Sequence, residues 1–197
     1  MSHQSALPRL IGIFLFLLPL FGTLSLSAPI PTSRPSTPTP KTCPTSDTIA
    51  KWLRDRKVIG ANTIFYSSPA TNQEAGILAS KLNPKGHYFG DLIATEQQLD
   101  WIGECPPGPE QDKVVPRISK AIAMEATGTA YLLVHSGKQP SANSIWMKHE
   151  FPTLQRNTKI TEVKEIEYEK IGDLKSAKPI WVASANKPKL PASTADN

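Results

Sequence analysis

The sequence predicts an α/β (or α+β) fold: a small, partly parallel central sheet flanked by helices, in a single compact domain. Two observations carry this. The segment "TAYLLVHSG" is almost wholly apolar, as a strand covered on both faces of its sheet requires. Helix-length connections follow Ser67 and precede Thr129, and parallel neighbours need such crossovers. A third observation bounds the domain, because Pro-, Ser- and Thr-rich segments on either side cannot bury a core.

Taken in order, "SDTIAKWLRDRKVI" reads as a helix capped by Ser46 or Asp47, with Ile49, Trp52, Leu53 and Arg56 at helical spacing and Gly60 as its end. "NTIFYSS" is a short buried strand rich in β-branched and aromatic residues. "PATNQEAGILASKL" is a helix with Ala75, Leu78, Ala79 and Leu82 on one stripe. "YFGDLI" is ambiguous, "TEQQLDWIGE" reads as a helical turn or two opened by a threonine cap, and "PPGPEQ" is a loop. "VVPRISKAIAMEATG" is a helix stopped by Gly128, and it leads into the strand at Thr129–His135. "SIWMKHE" reads as the next strand, from the alternation of Ile145 and Met147 with their neighbours, and "FPTLQRN" as a turn of helix. "KITEVKEIEYE" is an alternating final strand. The strands at Thr63–Ser67, Thr129–His135 and Ile145–His149 are expected side by side.

The flanks set the compartment. Arg9 precedes the apolar run "LIGIFLFLLPLF" and then "GTLSLSAP", the pattern of a secretory signal peptide with cleavage after Ser27. The run is too short to span a bilayer, which takes ~20 apolar residues. The expected organisation is a signal peptide over 1–27, a Pro/Ser/Thr-rich spacer over 28–45, a folded domain over 46–182 and a disordered tail over 183–197. The mature protein is then secreted and extracellular, with no membrane span. In an oxidising compartment the two cysteines, Cys43 and Cys105, are expected to form a disulfide. Without neighbouring histidine pairs they make a poor zinc site, so no metal is expected. Lysine and arginine number 22 against 17 aspartates and glutamates. Losing Arg9 with the signal peptide leaves 21 minus 17, or +4, spread without aromatic stripes, and no nucleic-acid partner is expected.

Glu150 stands out from the elements around it. A carboxylate at the end of an apolar segment is costly unless it is paired, hydrogen-bonded or used in chemistry. It reads either as a rim residue paired with Lys148 or Arg156, or as an acid at work.

From Ile64 to Tyr168 the chain resembles the ADP-ribosyl cyclase / NAD glycohydrolase family. "IFYSS" resembles the family's strand that bears an active-site aromatic followed by serine. "YFGDLIATEQQLDWIGE" resembles the stretch with an acidic motif that ends in Trp-Cys-Gly-Glu. "RISKAIAMEATGTAYLLVHSGKQPSANSIWMKHEFPTL" resembles the segment in which a serine-bearing helix leads to the catalytic glutamate, with an aromatic four positions before it. The resemblance implies Glu150 as the catalytic residue. It implies Trp146, Tyr66, Ser67, Ser119 and Asp91 as substrate-binding residues, NAD as a small dinucleotide substrate, and no cofactor. The chain departs from the family at Val115, where a second tryptophan is expected, and at Tyr88–Asp91, where only Asp91 is acidic. In such chemistry a fixed carboxylate stabilises the positive charge that develops on ribose as nicotinamide leaves, and aromatics stack on the bases. Two other readings remain. One is a secreted, non-catalytic cell-surface or host-interaction module. The other is a small nuclease-type hydrolase using His135, His149 and Glu150 as acid and base groups.

Overall fold

The computed structural model describes residues 42–170, 175 and 177–184. The signal-peptide, spacer and tail assignments lie almost entirely outside these residues. Among the described residues the strands are β1 (Ala61–Tyr66), β2 (His87–Tyr88), β3 (Thr127–His135), β4 (Ile160–Tyr168) and β5 (Lys178–Val182), in the spatial order β2-β1-β3-β4-β5. β2, β1, β3 and β4 run parallel, and β5 closes the edge antiparallel to β4. The helices are α1 (Ser46–Arg56), α2 (Asn72–Lys81), α3 (Phe89–Leu92), α4 (Thr95–Glu104), α5 (Pro109–Asp112), α6 (Val114–Glu125) and α7 (Phe151–Arg156).

The alternation of side chains along each strand divides the core in two. Phe65, Leu132, Val134 and Val163 face one side and pack with Ile49 and Leu53 of α1 and Ile118 and Ile122 of α6. Ile64, Leu133 and Ile166 face the other and pack with Ala75, Leu78 and Ala79 of α2. Both faces of the central strands are therefore covered, which is why β3 reads as a continuous apolar run. The partly parallel sheet flanked by helices that the sequence predicts is present, with four of the five described strands parallel.

Local chemistry sets the boundaries. Thr45, one residue before the expected caps, accepts the Thr48 amide at 3.2 Å and starts α1. The helix ends at Lys57 in the left-handed region (φ 53°), three residues before Gly60. α2 begins with a reciprocal capping box: Thr71 Oγ1 accepts the Glu74 amide, and Glu74 Oε2 accepts the Thr71 amide at 2.8 Å. α4 starts without a side-chain cap, and the stretch "PPGPEQ", expected as a loop, opens the single turn α5. The Cys43–Cys105 disulfide ties the segment before α1 to the end of α4. No described helix is long and apolar enough to cross a membrane.

The expected strand at Ile145–His149 does not form. Residues Trp146–Glu150 make a π-helical turn that runs directly into α7. The Ser144 hydroxyl accepts the Met147 amide at 3.2 Å and starts the turn, and the Phe151 amide reaches back to the Trp146 carbonyl. Pro152 has no amide to donate to the preceding turn, which favours widening at this point. Alternation over five residues looks the same in a strand and in one helical turn, so the sequence pattern could not separate them. β4 takes the expected place beside β3, and β5 lies beyond the segment read as the last strand.

One side chain fixes the end of α6. Asn157 Nδ2 lies 2.9, 3.1 and 2.8 Å from the carbonyls of Ala123, Met124 and Ala126, which otherwise lack helical partners. Replacing Asn157 with Ala should lower unfolding free energy by about 1–3 kcal/mol, read in urea with an unchanged slope. An unaltered midpoint would show that these carbonyls are served equally well by water.

Candidate active site

The strand order creates an opening before any side chain is considered. β1 sends its chain through α2 to β2 on one side, and the chain returns through α6 to β3 on the other. Connections leaving in opposite directions open a crevice outside the carboxyl ends of β1 and β3, where open α/β sheets bind ligands. A cleft of about 680 Å³ lies there. The end of β1 supplies Tyr66, Ser67 and Ser68, and α6 supplies Val115, Ser119 and Ile122. The loop after β3 brings Ser141, Asn143 and Ser144, and the π-turn brings Trp146 and Glu150. Asn72, Phe89 and Gln98 complete the rim.

Glu150 is 7% exposed. Burial pushes its carboxyl up to about 8, and hydrogen bonding from the Ser119 hydroxyl pulls the other way without overcoming it. None of the described ion pairs involves Glu150, and among the described residues no lysine, arginine or histidine lines the cleft. Arg156, one expected rim partner, donates instead to the Pro152 carbonyl at 3.0 Å. Glu150 is thus a buried acid facing a cleft, not half of a surface ion pair.

The π-turn places residues 146 and 150 toward the cleft by helical spacing. Trp146 is 2% exposed; its ring stacks on Phe151 (centroids 5.2 Å apart, planes at 23°) and tilts against Phe65 at 5.7 Å. It is the floor of the cleft, anchored in the core. Tyr66 is half-buried, and its hydroxyl donates to Asn72 Oδ1 at 3.4 Å. Burial, then the Glu150 carboxylate, then Tyr88 raise the Tyr66 phenol, so the Tyr66 and Glu150 groups sense one another. Ser67 is buried in the turn after β1, where its amide donates to the Leu133 carbonyl. Ser119 lies in the middle of α6 and is buried.

Asp91 is not brought to this group. It lies on α3, 3.2 Å from His87 Nδ1, and does not line the cleft. Neither histidine invoked for a nuclease lines it. His135 packs on the Tyr168 ring at 5.2 Å, and the His149 carbonyl in the π-turn accepts the Thr153 hydroxyl of α7. Among the described residues no group of three His, Cys, Asp or Glu side chains is arranged to hold a metal.

Phe89, Asn72 and Gln98 were not singled out by the sequence. Asn72 Oδ1 also accepts the Gly90 amide at 3.1 Å, and a Cβ on Gly90 would come within 2.2 Å of Asn72 Nδ2. The glycine after Phe89 is therefore what allows Asn72 and Tyr66 to meet. The position of Asn72, just after the first strand and at the head of a crossover helix, was the available signal.

Protein-family profiles and curated protein sequences give no match to this chain. Among solved structures it is similar to a glutamate-to-alanine mutant of ADP-ribosyl cyclase (19% identity, 57% of this chain, 51% of that one, TM-score 0.40). The Aplysia cyclase complexed with substrate NGD and product cGDPR aligns at 20% identity over 57% of this chain and 51% of that one, also with a TM-score of 0.40. An ADP-ribosyl cyclase complexed with N1-cIDPR aligns at 19% identity over 64% of this chain and 55% of that one, again at 0.40. The chain spans about half the length of these proteins, and the likeness is a distant structural similarity.

The raised carboxyl has a consequence for stability. Below the ordinary value of 4.5, Glu150 is protonated whether the chain is folded or not. Between 4.5 and about 8 the unfolded chain releases this proton and the folded one keeps it, so stability falls as pH rises through this window. At 1.36 kcal/mol per pH unit the contribution reaches ~5 kcal/mol at most. Glu150→Gln should therefore melt higher than wild type above pH 8, with the gap closing toward pH 4.5. A glutamine variant that melts lower at pH 8 would mean that the native carboxylate has a stabilising partner.

Proposed function

We propose that this cleft is the active site of an extracellular enzyme that cleaves the bond between nicotinamide and ribose in NAD. The observation that carries the reading is the buried Glu150 carboxyl, set at the switch point of the sheet among described walls that carry no lysine, arginine or histidine. NAD as the substrate comes from the sequence resemblance. The disulfide fits an oxidising compartment.

The nicotinamide ring of NAD is a cation. Its arrival beside Glu150 favours the carboxylate, so the proton leaves as substrate binds. When the glycosidic bond breaks, its electron pair goes to nicotinamide, which departs neutral, and the positive charge passes to the ribosyl group. The carboxylate then faces that charge in a site shielded from water, where fixed electrostatics act most strongly. Ser119 holds the carboxylate's orientation, and Trp146 fixes the turn that carries it. Attack by water at the anomeric carbon gives ADP-ribose and releases a proton; attack by the adenine ring gives a cyclic product.

The test incubates the mature protein with NAD and separates nicotinamide, ADP-ribose and cyclic ADP-ribose. Wild type should release nicotinamide, and Glu150→Gln should be slower by about 10²–10³-fold while remaining folded. Equal turnover in the two proteins would overturn the assignment of Glu150. Because the ionised carboxyl is the active form, kcat/KM should rise with pH to a plateau with a midpoint near 8. A profile flat from pH 5 to 9 would contradict the role given to ionisation. Absence of any turnover would favour the non-catalytic module, in which the sealed ring of Trp146 is simply core.

A further inference from the structure

We infer that the cleft recognises only the base and ribose of its substrate, leaving the diphosphate without a charged partner, so that the substrate class is N-ribosides with a cationic base, phosphorylated or not. This rests on the cleavage reading above and specifies which part of the substrate the protein holds.

The lining is polar without being positive. Ser67, Ser68, Asn72, Gln98, Ser141, Asn143 and Ser144 offer hydroxyls and amides suited to sugar hydroxyls and a carboxamide, and Glu150 is the one ionisable acid among them. Among the described residues, a diphosphate brought into such a lining meets a carboxyl and no lysine, arginine or histidine.

The charged groups at two of the helix starts that border the cleft do not supply a cation to it. At the start of α2 the Glu74 carboxylate already accepts both the Thr71 amide and the Thr71 hydroxyl at 2.8 Å, so an anion occupies that position. Near the start of α6 the two cations are taken. Lys113 Nζ is 2.6 Å from Glu110 Oε1, and Arg117 Nη2 is 2.8 Å from Glu110 Oε2. Arg117 Nη1 also lies 3.0 Å from Cys43 Sγ, which turns the guanidinium toward the disulfide. Charge selection at the cleft therefore runs against phosphate and toward the cationic base.

The experiment compares four substrates with wild-type protein: nicotinamide riboside, its 5′-monophosphate, NAD and NADP, each followed by release of nicotinamide. The expected result is kcat/KM values within about tenfold of one another, with that for NAD changing little as salt is raised from about 0.05 to 0.5 M, because no exposed phosphate–cation contact is there to be screened. A preference for NAD over the riboside of more than about tenfold, or a steep loss of NAD cleavage with salt, would overturn this inference and leave the cleavage reading intact. Cleavage of none of the four would overturn both.

Discussion

A carboxyl group held out of water with one hydroxyl beside it is unfavourable to the folded chain, and the rest of the site can be understood as what keeps it there. Glu150 cannot turn outward, because the π-turn that carries it is pinned by Trp146 between Phe65 and Phe151. Pro152 offers no amide to the preceding turn, so a regular helix through it would lack that hydrogen bond. Ser119 is presented by α6, whose far end is closed by Asn157 from the segment after α7. The sheet completes the arrangement, since the change of direction between β1 and β3 opens the space that the carboxyl faces. Strain of this kind is tolerated at sites where it is used.

The same isolation gives the group its chemical character. An acid paired with arginine stays ionised and has little to gain when a cation arrives. Glu150 is largely neutral at pH 7, with its carboxyl pushed to about 8, and a positively charged base would shift it toward the anion. Ligand charge and proton release are then coupled. The absence of lysine and arginine from the described lining serves this coupling, because a neighbouring cation would ionise the carboxyl before any ligand entered.

Much of the fold was legible in the sequence because burial leaves a direct mark on composition. The two-sided core explains the apolar run from Tyr131 to Val134, and the connections before and after it are long enough to require crossovers. Glu150 was legible for the opposite reason, as a charge where the pattern called for none. Residues 145–149 were misread because the alternation of Ile145 and Met147 is too short to distinguish a strand from a turn of helix. What decides between them is the Ser144 hydroxyl at the start and Pro152 at the end, both local hydrogen-bonding effects. Ending α1 at Gly60 failed similarly, since Lys57 takes the left-handed conformation itself. Asn72, Phe89 and Gln98 carry no compositional mark and enter the cleft through topology alone. Asp91 had the right chemistry, but it sits beside His87 on α3 and away from the cleft.

The account stands on the protonation state of one side chain, which can be observed directly. In protein labelled with carbon-13 at the glutamate side-chain carboxyl, comparison with Glu150→Gln assigns the Glu150 resonance, which can be followed by NMR from pH 4 to 10. The account predicts a titration midpoint near 8 for the free protein, moving lower when a pyridinium riboside occupies the cleft. A midpoint near the ordinary 4.5, unmoved by that ligand, would contradict it.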